Sequence, residues 1–315
     1  MEIRLGYACI SETLPDITSS STYTYTNFLK EEDFNKLDRV ITSNLLDLEQ
    51  IIKYNIKNNI HFYRLSSKII PLATKKEVSF DYTNKYMKNY NKIGNYINKS
   101  NMRVDFHPDQ FCILNSVNKE VVDNTIETLK YHYNILKSLG IENKILLLHI
   151  GSNVFGKKNS LQRFINNFRK LPDYLQKCIA IENDDKVFNI DDCIYLSKNL
   201  DIPIVVDYHH YLCNRGELDL FENFDIIFST WKGMRPKIHF SSPKNKTKKE
   251  FRSHNDYIDP NSFIDFLKKL KENSKIKKLD IMIEAKKKDE ALFRLVRYLK
   301  YKTNYNFIDE TCFYI

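Results

Sequence analysis

Cysteine is scarce in the 315-residue sequence, and its six cysteines form neither a CxxC pair nor another spacing typical of zinc sites. Several lie in apolar runs, so we expect reduced core thiols in a cytoplasmic protein and no disulfide framework. No apolar run approaches the ~18 residues of a membrane span. The opening Met-Glu-Ile-Arg-Leu-Gly is unlike a signal peptide. These absences exclude a secreted disulfide scaffold and a membrane protein.

Positive charge is in excess: 49 lysines and arginines face 40 aspartates and glutamates, for a net charge of +9. This balance favours a polyanionic partner such as nucleic acid. The charge is uneven, since residues 244–252 carry five basic side chains against one glutamate and residues 268–278 carry six against one. The second run is typical of a solvated helix face.

Eight short apolar segments alternate with eight segments of helical spacing. Strands are predicted at 3–9, 61–66, 102–106, 144–149, 178–182, 203–207, 237–239 and 279–284. Helices are predicted at 45–56, 86–97, 120–139, 160–171, 190–199, 218–229, 261–271 and 289–300.

The alternation of strands and helices implies a parallel sheet, and eight units fit a closed (β/α)8 barrel. A doubly wound open sheet is the alternative, but no glycine-rich phosphate turn follows the first strand. The sequence contains no linker, low-complexity segment or repeat. It therefore predicts a single α/β domain over 1–315, with a barrel core at about 3–301 and a packed C-terminal extension at 302–315.

Six of the predicted strands end in side chains that bind metal ions: His107, His149, Glu182, Asp207, His239 and Glu284. The C-terminal ends of barrel strands converge on one face, whereas an open sheet would spread them ~4.8 Å per strand along an edge. The ligand pattern thus favours a closed barrel by itself.

His210 and His254 follow strands and extend the set to eight ligands, while His209 is undecided and His61 and His132 are expected to be structural. Eight nitrogen and oxygen ligands without cysteine suit manganese, zinc or iron. They are too many for one ion and indicate two or three.

Polar and aromatic residues near these strand ends have two interpretations each. Gln110 and Phe111 form either a loop with one buried aromatic or a wedge that fills a duplex after base extrusion. Arg64, Ser66 and Ser67 could bind a phosphate, although Arg64 could also lie inside the barrel.

Lys237 precedes His239 by two residues, so both side chains should point to the same side of the strand. A lysine that faces a cluster of cations should be neutral, carbamylated or turned away.

Several segments, in order along the chain, resemble the successive motifs of the UV damage endonuclease family. They are Arg4-Leu-Gly6-Tyr7, Phe62-Tyr-Arg64-Leu-Ser66-Ser67, His107-Pro-Asp-Gln110-Phe111 with Leu114-Asn-Ser116, His149-Ile-Gly151 with Phe155-Gly-Lys, Ile181-Glu182-Asn183-Asp184-Asp185, Asp207-Tyr-His-His210, Lys237-Ile-His239-Phe-Ser241-Ser242 and Met282-Ile-Glu284-Ala-Lys286. The resemblance spans Arg4 to about Leu295.

The resemblance implies a barrel related to endonucleases that cut at abasic sites. It also implies incision of double-stranded DNA immediately 5′ to UV photoproducts, by a monomer, as the start of excision repair. The implied cofactor is three divalent ions, usually manganese, with zinc or magnesium as alternatives. One ion would be held by His107, His149 and Glu182, a second by Glu182, Asp207, His239 and Glu284, and the third by His210 and His254.

Further roles carry over by position. Lys237 matches a lysine that can be carboxylated at the metal centre, and catalytic roles fall on Glu182, Lys237 and His239. The lesion-probing pair is matched by Gln110 and Phe111, and a tyrosine near the lesion by Tyr7. Asp109 replaces a common glycine, and Ser11 stands where an asparagine is expected.

The residues also fit phosphodiester hydrolysis without the resemblance, because clustered divalent ions lower the pKa of a bound water and offset charge on the phosphate. Two alternatives remain open: a divalent-metal sugar isomerase of the same barrel superfamily, and a non-catalytic protein that binds damaged DNA. Salt-dependent duplex binding would separate the first from a nuclease, and the absence of nicking would identify the second.

Overall fold

A computed structural model describes residues 1–247 and 250–315, and its eight parallel strands close into a barrel. Each strand pairs with the next, and β1 pairs with both β8 and β2, so the open-sheet alternative is wrong. The strands are β1 Glu2–Ala8, β2 Phe62–Leu65, β3 Arg103–Phe106, β4 Leu146–His149, β5 Ile179–Glu182, β6 Ile204–Asp207, β7 Lys237–Phe240 and β8 Lys278–Ile283.

Twelve α-helices connect or follow the strands in the described part of the chain. They are α1 Tyr25–Glu31, α2 Phe34–Lys57, α3 Tyr82–Lys85, α4 Met87–Lys99, α5 Lys119–Ser138, α6 Lys157–Phe168, α7 Asp173–Gln176, α8 Ile190–Leu200, α9 Tyr208–Cys213, α10 Phe224–Ser229, α11 Pro260–Asn273 and α12 Lys288–Lys302. A short 3₁₀ helix covers Lys76–Val78. None of the described helices is long and apolar enough to cross a membrane.

The helix ends differ from the prediction where polar side chains obscure the pattern. The helix predicted at 45–56 begins eleven residues earlier, at Phe34, because the Asp33 side chain caps its first turn by accepting from the backbone of Lys36. Only 224–229 of the helix predicted at 218–229 is helical. The unpredicted α9 follows β6 directly and is capped by Asp207.

Alternation along the strands sorts their side chains between two environments. Outward-facing aliphatic residues pack against the helices and form the main core. Inside the barrel, a smaller cluster of Ile145, Leu147, Ala180 and Val205 packs on Trp231. The interior also holds charge, since buried Asp280 binds Arg4 and Arg103 at 2.7 and 3.0 Å.

Gly6 lets β1 approach β2. A Cβ atom at this position would lie 2.2 Å from the carbonyl oxygen of Phe62, so any larger residue would push the two strands apart. The two strands pair only at Tyr7 with Tyr63 and Ala8 with Arg64, near the C-terminal end of β1.

The residues after α12 pack on the barrel as two short antiparallel strands, β9 Asn306–Phe307 and β10 Cys312–Tyr314. β10 pairs with the start of β1, from Glu2 opposite Tyr314 to Arg4 opposite Cys312. A contact of 2.7 Å between His61 Nε2 and Asp309 Oδ2 ties the same segment to the entry of β2. The extension therefore covers the first part of the β1 edge, which does not pair with β2.

Candidate metal centre

The six strand-terminal ligands meet at the C-terminal face of the barrel. Together with His210 they form three groups whose ligand atoms lie within 4.8 Å of one another. Glu182 belongs to two groups and Asp207 to two, so the groups share members. The groups are His107, His149 and Glu182; Glu182, Asp207 and His210; and Asp207, His239 and Glu284.

Glu182 lies at the middle of the centre and is buried. Its Oε2 atom is 2.8 Å from Nε2 of His107 and 3.8 Å from Nε2 of His149. Its Oε1 atom is 2.6 Å from Nδ1 of His239. Burial alone would raise the pKa of Glu182, but the histidines outweigh it and hold the pKa well below its usual range. The side chain is therefore a carboxylate that faces three strands at once.

Asp207 offers one oxygen to its own helix and leaves the other free. Oδ1 accepts from the backbone N–H of His210 at 2.7 Å, while the buried Oδ2 has no hydrogen-bond partner among the described residues. Burial raises the pKa of Asp207 to about 6. Burial opposes protonation of His210, but the carboxylates of Asp207, Glu182 and Glu284 prevail and raise its pKa to about 9. A divalent ion would satisfy Oδ2 and offset the crowded negative charge, so the donor set fits metal.

Backbone carbonyls orient two of the histidine rings. Nδ1 of His107 lies 3.0 Å from the carbonyl oxygen of Pro108, and Nδ1 of His210 lies 3.0 Å from that of Asn183. Such contacts turn the Nε2 atoms away from the backbone, and that of His107 towards Glu182, with which it would share an ion. Burial lowers the pKa of His107 to about 4, which keeps its imidazole in the neutral form that binds metals.

Asn183 is a supporting residue that the sequence argument missed. Its side chain donates to the Asp207 carbonyl at 3.0 Å and accepts from the Asp207 N–H at 2.9 Å, so it locks β5 to β6 beside two ligands. Its position directly after Glu182 was the available signal.

Arg64 lies inside the barrel, which was the alternative to its binding a phosphate. Its buried Nη2 atom is 2.8 Å from Nε2 of His239 and 2.7 Å from Oε1 of Glu284. Alternation along β2 points the side chain at the centre, and its role as a phosphate ligand stays a prediction. The guanidinium adds a fixed positive charge next to the third ligand group.

Lys237 points to the same side of β7 as His239, into the barrel interior. Its Nζ atom is 2.7 Å from Oδ2 of Asp105, and both side chains are fully inaccessible to solvent. Burial outweighs the attraction of Asp105 and lowers the pKa of Lys237 to about 8. Sequence reasoning missed Asp105 because its partner lies across the barrel, 132 residues away.

His254 and His209 stand apart from the three ligand groups. The ring of His254 lies 6.2 Å from that of His210, and its backbone forms a bridge with Pro243. His209 turns its Nε2 atom towards Sγ of Cys213, 3.8 Å away. Of the two adjacent histidines, His210 is thus the one that joins the centre. The basic run at 244–252 includes Lys248 and Lys249, which lie outside the described residues.

Gln110 and Phe111 lie in the loop after β3 at the rim of the centre. Phe111 is 75% exposed, so the interpretation as a buried aromatic is wrong. Gln110 lines a cleft of about 330 Å³ together with His149 and His210. The cleft therefore connects the exposed loop with two of the ligands.

Tyr7, Ser66 and Ser67 do not face this cleft. Tyr7 is fully buried between β1 and α2, where its hydroxyl donates to Asn55 at 2.8 Å. Alternation along β1 turns the side chain towards the helices, and its predicted place near a lesion stays a prediction. Buried Ser66 accepts from Ser20 Oγ at 2.7 Å, and Ser67 donates to the His107 carbonyl at 3.4 Å.

Ser11 is also engaged within the protein. Its hydroxyl donates to the carboxylate of Asp289 at 2.5 Å, and the side chain is buried.

Comparison with known proteins adds an independent observation. The family model described as UV-endonuclease UvdE matches residues 3–312. The UV DNA damage endonuclease of Bacillus cereus (strain G9842) is 40% identical over 302 residues, which are 94% of each chain. The crystal structure of SacUVDE has a TM-score of 0.86 at 33% identity and covers 95% of this chain and 98% of that one. Endonuclease IV from Thermus thermophilus, at 10% identity and a TM-score of 0.54, shares the fold, with 95% and 99% of the two chains covered.

Proposed function

The chain belongs to the UV-endonuclease UvdE family and is thus an endonuclease; we propose that it nicks double-stranded DNA immediately 5′ to UV photoproducts, namely cyclobutane dimers and 6-4 photoproducts. Its activity depends on divalent metal ions and starts an excision repair pathway. The observation that carries the proposal is the convergence of seven ligands in three overlapping groups, at the end of a cleft lined by Gln110.

We propose three ions, each held mainly by one of the three groups, with Glu182 and Asp207 shared between neighbours. His254 is proposed as a further ligand of the ion beside His210, because the two rings lie 6.2 Å apart. Manganese is the proposed metal, since the donors are nitrogen and oxygen atoms without cysteine; zinc and magnesium are the outcomes that would correct it.

Bound divalent ions would lower the pKa of a water molecule and offset the negative charge that develops on the phosphate. The protein side chains prepare this chemistry. Glu182 stays ionised among His107, His149 and His239, so it can serve as the shared ligand. Lys237 and Asp105 form an ion pair without net charge beneath the centre. We propose that Lys237 would release its proton with ions nearby, because its pKa is already lowered. Its neutral amine could then react with dissolved carbon dioxide, releasing a second proton, to give the carboxylated form.

DNA recognition falls to the exposed rim and the positive surface. Gln110 and Phe111 are proposed to occupy the space left by extruded bases, where an aromatic side chain can stack on a base. The Ser67 hydroxyl donates to the backbone carbonyl of His107, and Ser67 is proposed to help position the DNA strand. The net charge of +9 supports binding to the phosphate backbone.

The test is nicking of UV-irradiated and untreated plasmid by the purified protein, with manganese and with a chelator. Mapping of the ends on an oligonucleotide with one defined dimer gives the cut position. We expect metal-dependent nicks in irradiated plasmid only, directly 5′ to the dimer. Equal nicking of both plasmids, or nicking with chelator present, would contradict the proposal. Binding without nicking would identify the non-catalytic alternative.

A further inference from the structure

Phe155 is an exposed aromatic side chain in the loop after β4. Its side chain is 76% exposed, and its backbone has φ +64°, in the left-handed region that a residue with a bulky side chain rarely adopts. Neither property favours stability, because the apolar ring meets water and the backbone is strained. Strained, exposed residues of this kind cluster at functional sites.

The loop of Phe155 is bonded to the loop of Phe111. Buried Asn115, from the loop after β3, donates to the Ser152 carbonyl at 2.8 Å and accepts from the Ser152 N–H at 2.7 Å. A Cβ atom at Gly151 would lie 2.6 Å from Ile113, so the two loops are in direct contact. Both aromatic rings are therefore carried by one braced unit, the β3–β4 loop pair, which comprises residues 107–118 and 150–156.

Arg163 holds the backbone next to Phe155. From α6 its guanidinium donates to the carbonyl of Asn115 at 2.9 Å and to that of Val154 at 2.6 Å. The Ser160 hydroxyl also donates to Val154, at 3.2 Å. One arginine thus clamps both halves of the loop pair and fixes the position from which the Phe155 ring projects.

We propose that Phe155 is a second DNA-contacting residue, which stacks on a base of the damaged duplex beside the position probed by Phe111. The inference rests on the proposed function. Gln110 and Ser152, from the two halves of the loop pair, line the same cleft to the ligands. Lys158 is exposed three residues after Phe155, so the surroundings suit a phosphate backbone.

A second copy of the chain is a poorer occupant of this surface. A standard protein interface buries ~800 Å² on each partner, whereas an aromatic side chain buries ~150–250 Å². The loop pair offers two exposed phenylalanines and the valines Val117 and Val154. This area is small for a stable dimer but suits stacking between bases.

The experiment compares Phe155→Asn, Phe155→Trp and Tyr301→Ala with the wild type. Asparagine tolerates the left-handed backbone while removing the ring, and tryptophan keeps an aromatic face. Tyr301 is the matched control, because it is 81% exposed at the end of α12, on the opposite face of the barrel. The probe is a duplex with one cyclobutane dimer and 2-aminopurine in the opposing strand, whose fluorescence reports stacking.

We expect Phe155→Asn to weaken binding of this duplex about tenfold, since one base–aromatic contact is worth ~1–3 kcal/mol. The change in 2-aminopurine fluorescence that the wild type causes on binding should be lost in this variant as well. Phe155→Trp and Tyr301→Ala should bind like the wild type, and metal content and thermal stability should not change. Arg163→Gln should weaken binding more in the wild-type background than in Phe155→Asn, because part of its effect is the positioning of Phe155.

Unchanged affinity and fluorescence in Phe155→Asn would overturn the inference. A variant that changes its oligomeric state but keeps its affinity for DNA would overturn it as well. The proposed function is judged separately by the wild type. If the wild type fails to nick irradiated plasmid, the proposed function fails; if it nicks while Phe155→Asn binds normally, only the role of Phe155 fails.

Discussion

Glu182 is the residue on which the centre depends most, because its two oxygens face histidines from β3, β4 and β7. We expect Glu182→Gln to reduce incision of irradiated plasmid by ~10²-fold or more, since even outer-shell changes at metal sites cost 10–100-fold. Bound metal, measured by elemental analysis, should fall in parallel, while circular dichroism should show an intact fold. A variant that nicks at the wild-type rate would contradict the shared-ligand role.

His132 should make the protein sensitive to acid. The ring is fully buried against Phe106, neither nitrogen has a partner among the described residues, and burial lowers its pKa to about 3. The unfolded chain takes up a proton below pH ~6.5 whereas the folded one does not, so stability falls by ~1.4 kcal/mol per pH unit.

His132→Phe removes this proton uptake. The free energy of unfolding of the variant, relative to wild type, should rise by roughly 2–3 kcal/mol between pH 6.5 and 4.5. Urea unfolding at several pH values measures it. A difference that stays constant with pH would show that His132 does not titrate in this way.

Single residues were predictable from sequence where strand order alone decides their place. His107, His149 and Asp207 end apolar strands, and in a parallel barrel those ends must converge. The partners of Arg64 and Asp105 were not predictable, because they are contributed by strands distant in sequence. The burial of Tyr7 was not predicted for a related reason: a motif shows which residue is present but not which face of the strand it occupies.

Asp105 of β3 and Lys237 of β7 form an ion pair across the interior of the barrel. Removing one partner leaves a buried charge unpaired, so Asp105→Ala should lower the free energy of unfolding by ~3–5 kcal/mol. Replacing both, as in Asp105→Leu with Lys237→Met, should be much milder because no charge remains. Urea unfolding of the two variants measures the difference. A double variant less stable than Asp105→Ala would show that the pair itself stabilises the barrel.

The loop after β3 separates lesion probing from catalysis. Phe111 is exposed, and its side chain has no atom that binds a metal. Phe111→Ala should therefore leave metal content and binding of undamaged duplex unchanged. Binding of damaged duplex should weaken by roughly one to two powers of ten, since ~1.4 kcal/mol is tenfold. Fluorescence anisotropy with both duplexes measures this. Equal losses on the two duplexes would mean that Phe111 only supports the rim.

Helix α9 shows why some elements escaped prediction. Its six residues begin directly after β6, and its cap is Asp207, which also belongs to the ligand groups. A helix this short has too few turns for a hydrophobic period to appear. Long helices with a clear apolar face, such as α5 and α12, were placed within one to two residues at each end.

The barrel as a whole was predictable because eight strand–helix units and converging ligands agree on one architecture. The pairing of the C-terminal extension was not predictable, since a three-residue strand is too short to show an alternation of apolar and polar residues. β10 covers the start of β1, and Asp309 binds His61. The extension therefore contributes to closure, although the eight-unit count does not include it.

Removal of residues 303–315 should therefore destabilise the whole molecule. The edge of β1 from Glu2 to Arg4 would lose its partner, and Phe313 would leave the core. Loss of that buried phenylalanine alone is worth ~3–5 kcal/mol. We expect a thermal midpoint lower by several degrees or an insoluble product, whereas Tyr314→Ala, at an exposed position of β10, should be nearly neutral. A truncated protein as stable as the full chain would contradict this role.

The pairing of β1 with β10 also has a consequence for biosynthesis. Paired residues of the two strands are 308 to 312 residues apart, from Arg4 with Cys312 to Glu2 with Tyr314. At ~5–20 residues per second, β10 leaves the ribosome on the order of 15–60 s after β1. During that interval the edge of β1 is unpaired, and an unpaired edge is a template for association with other chains. This edge of β1 therefore stays exposed until almost the whole described sequence has been made.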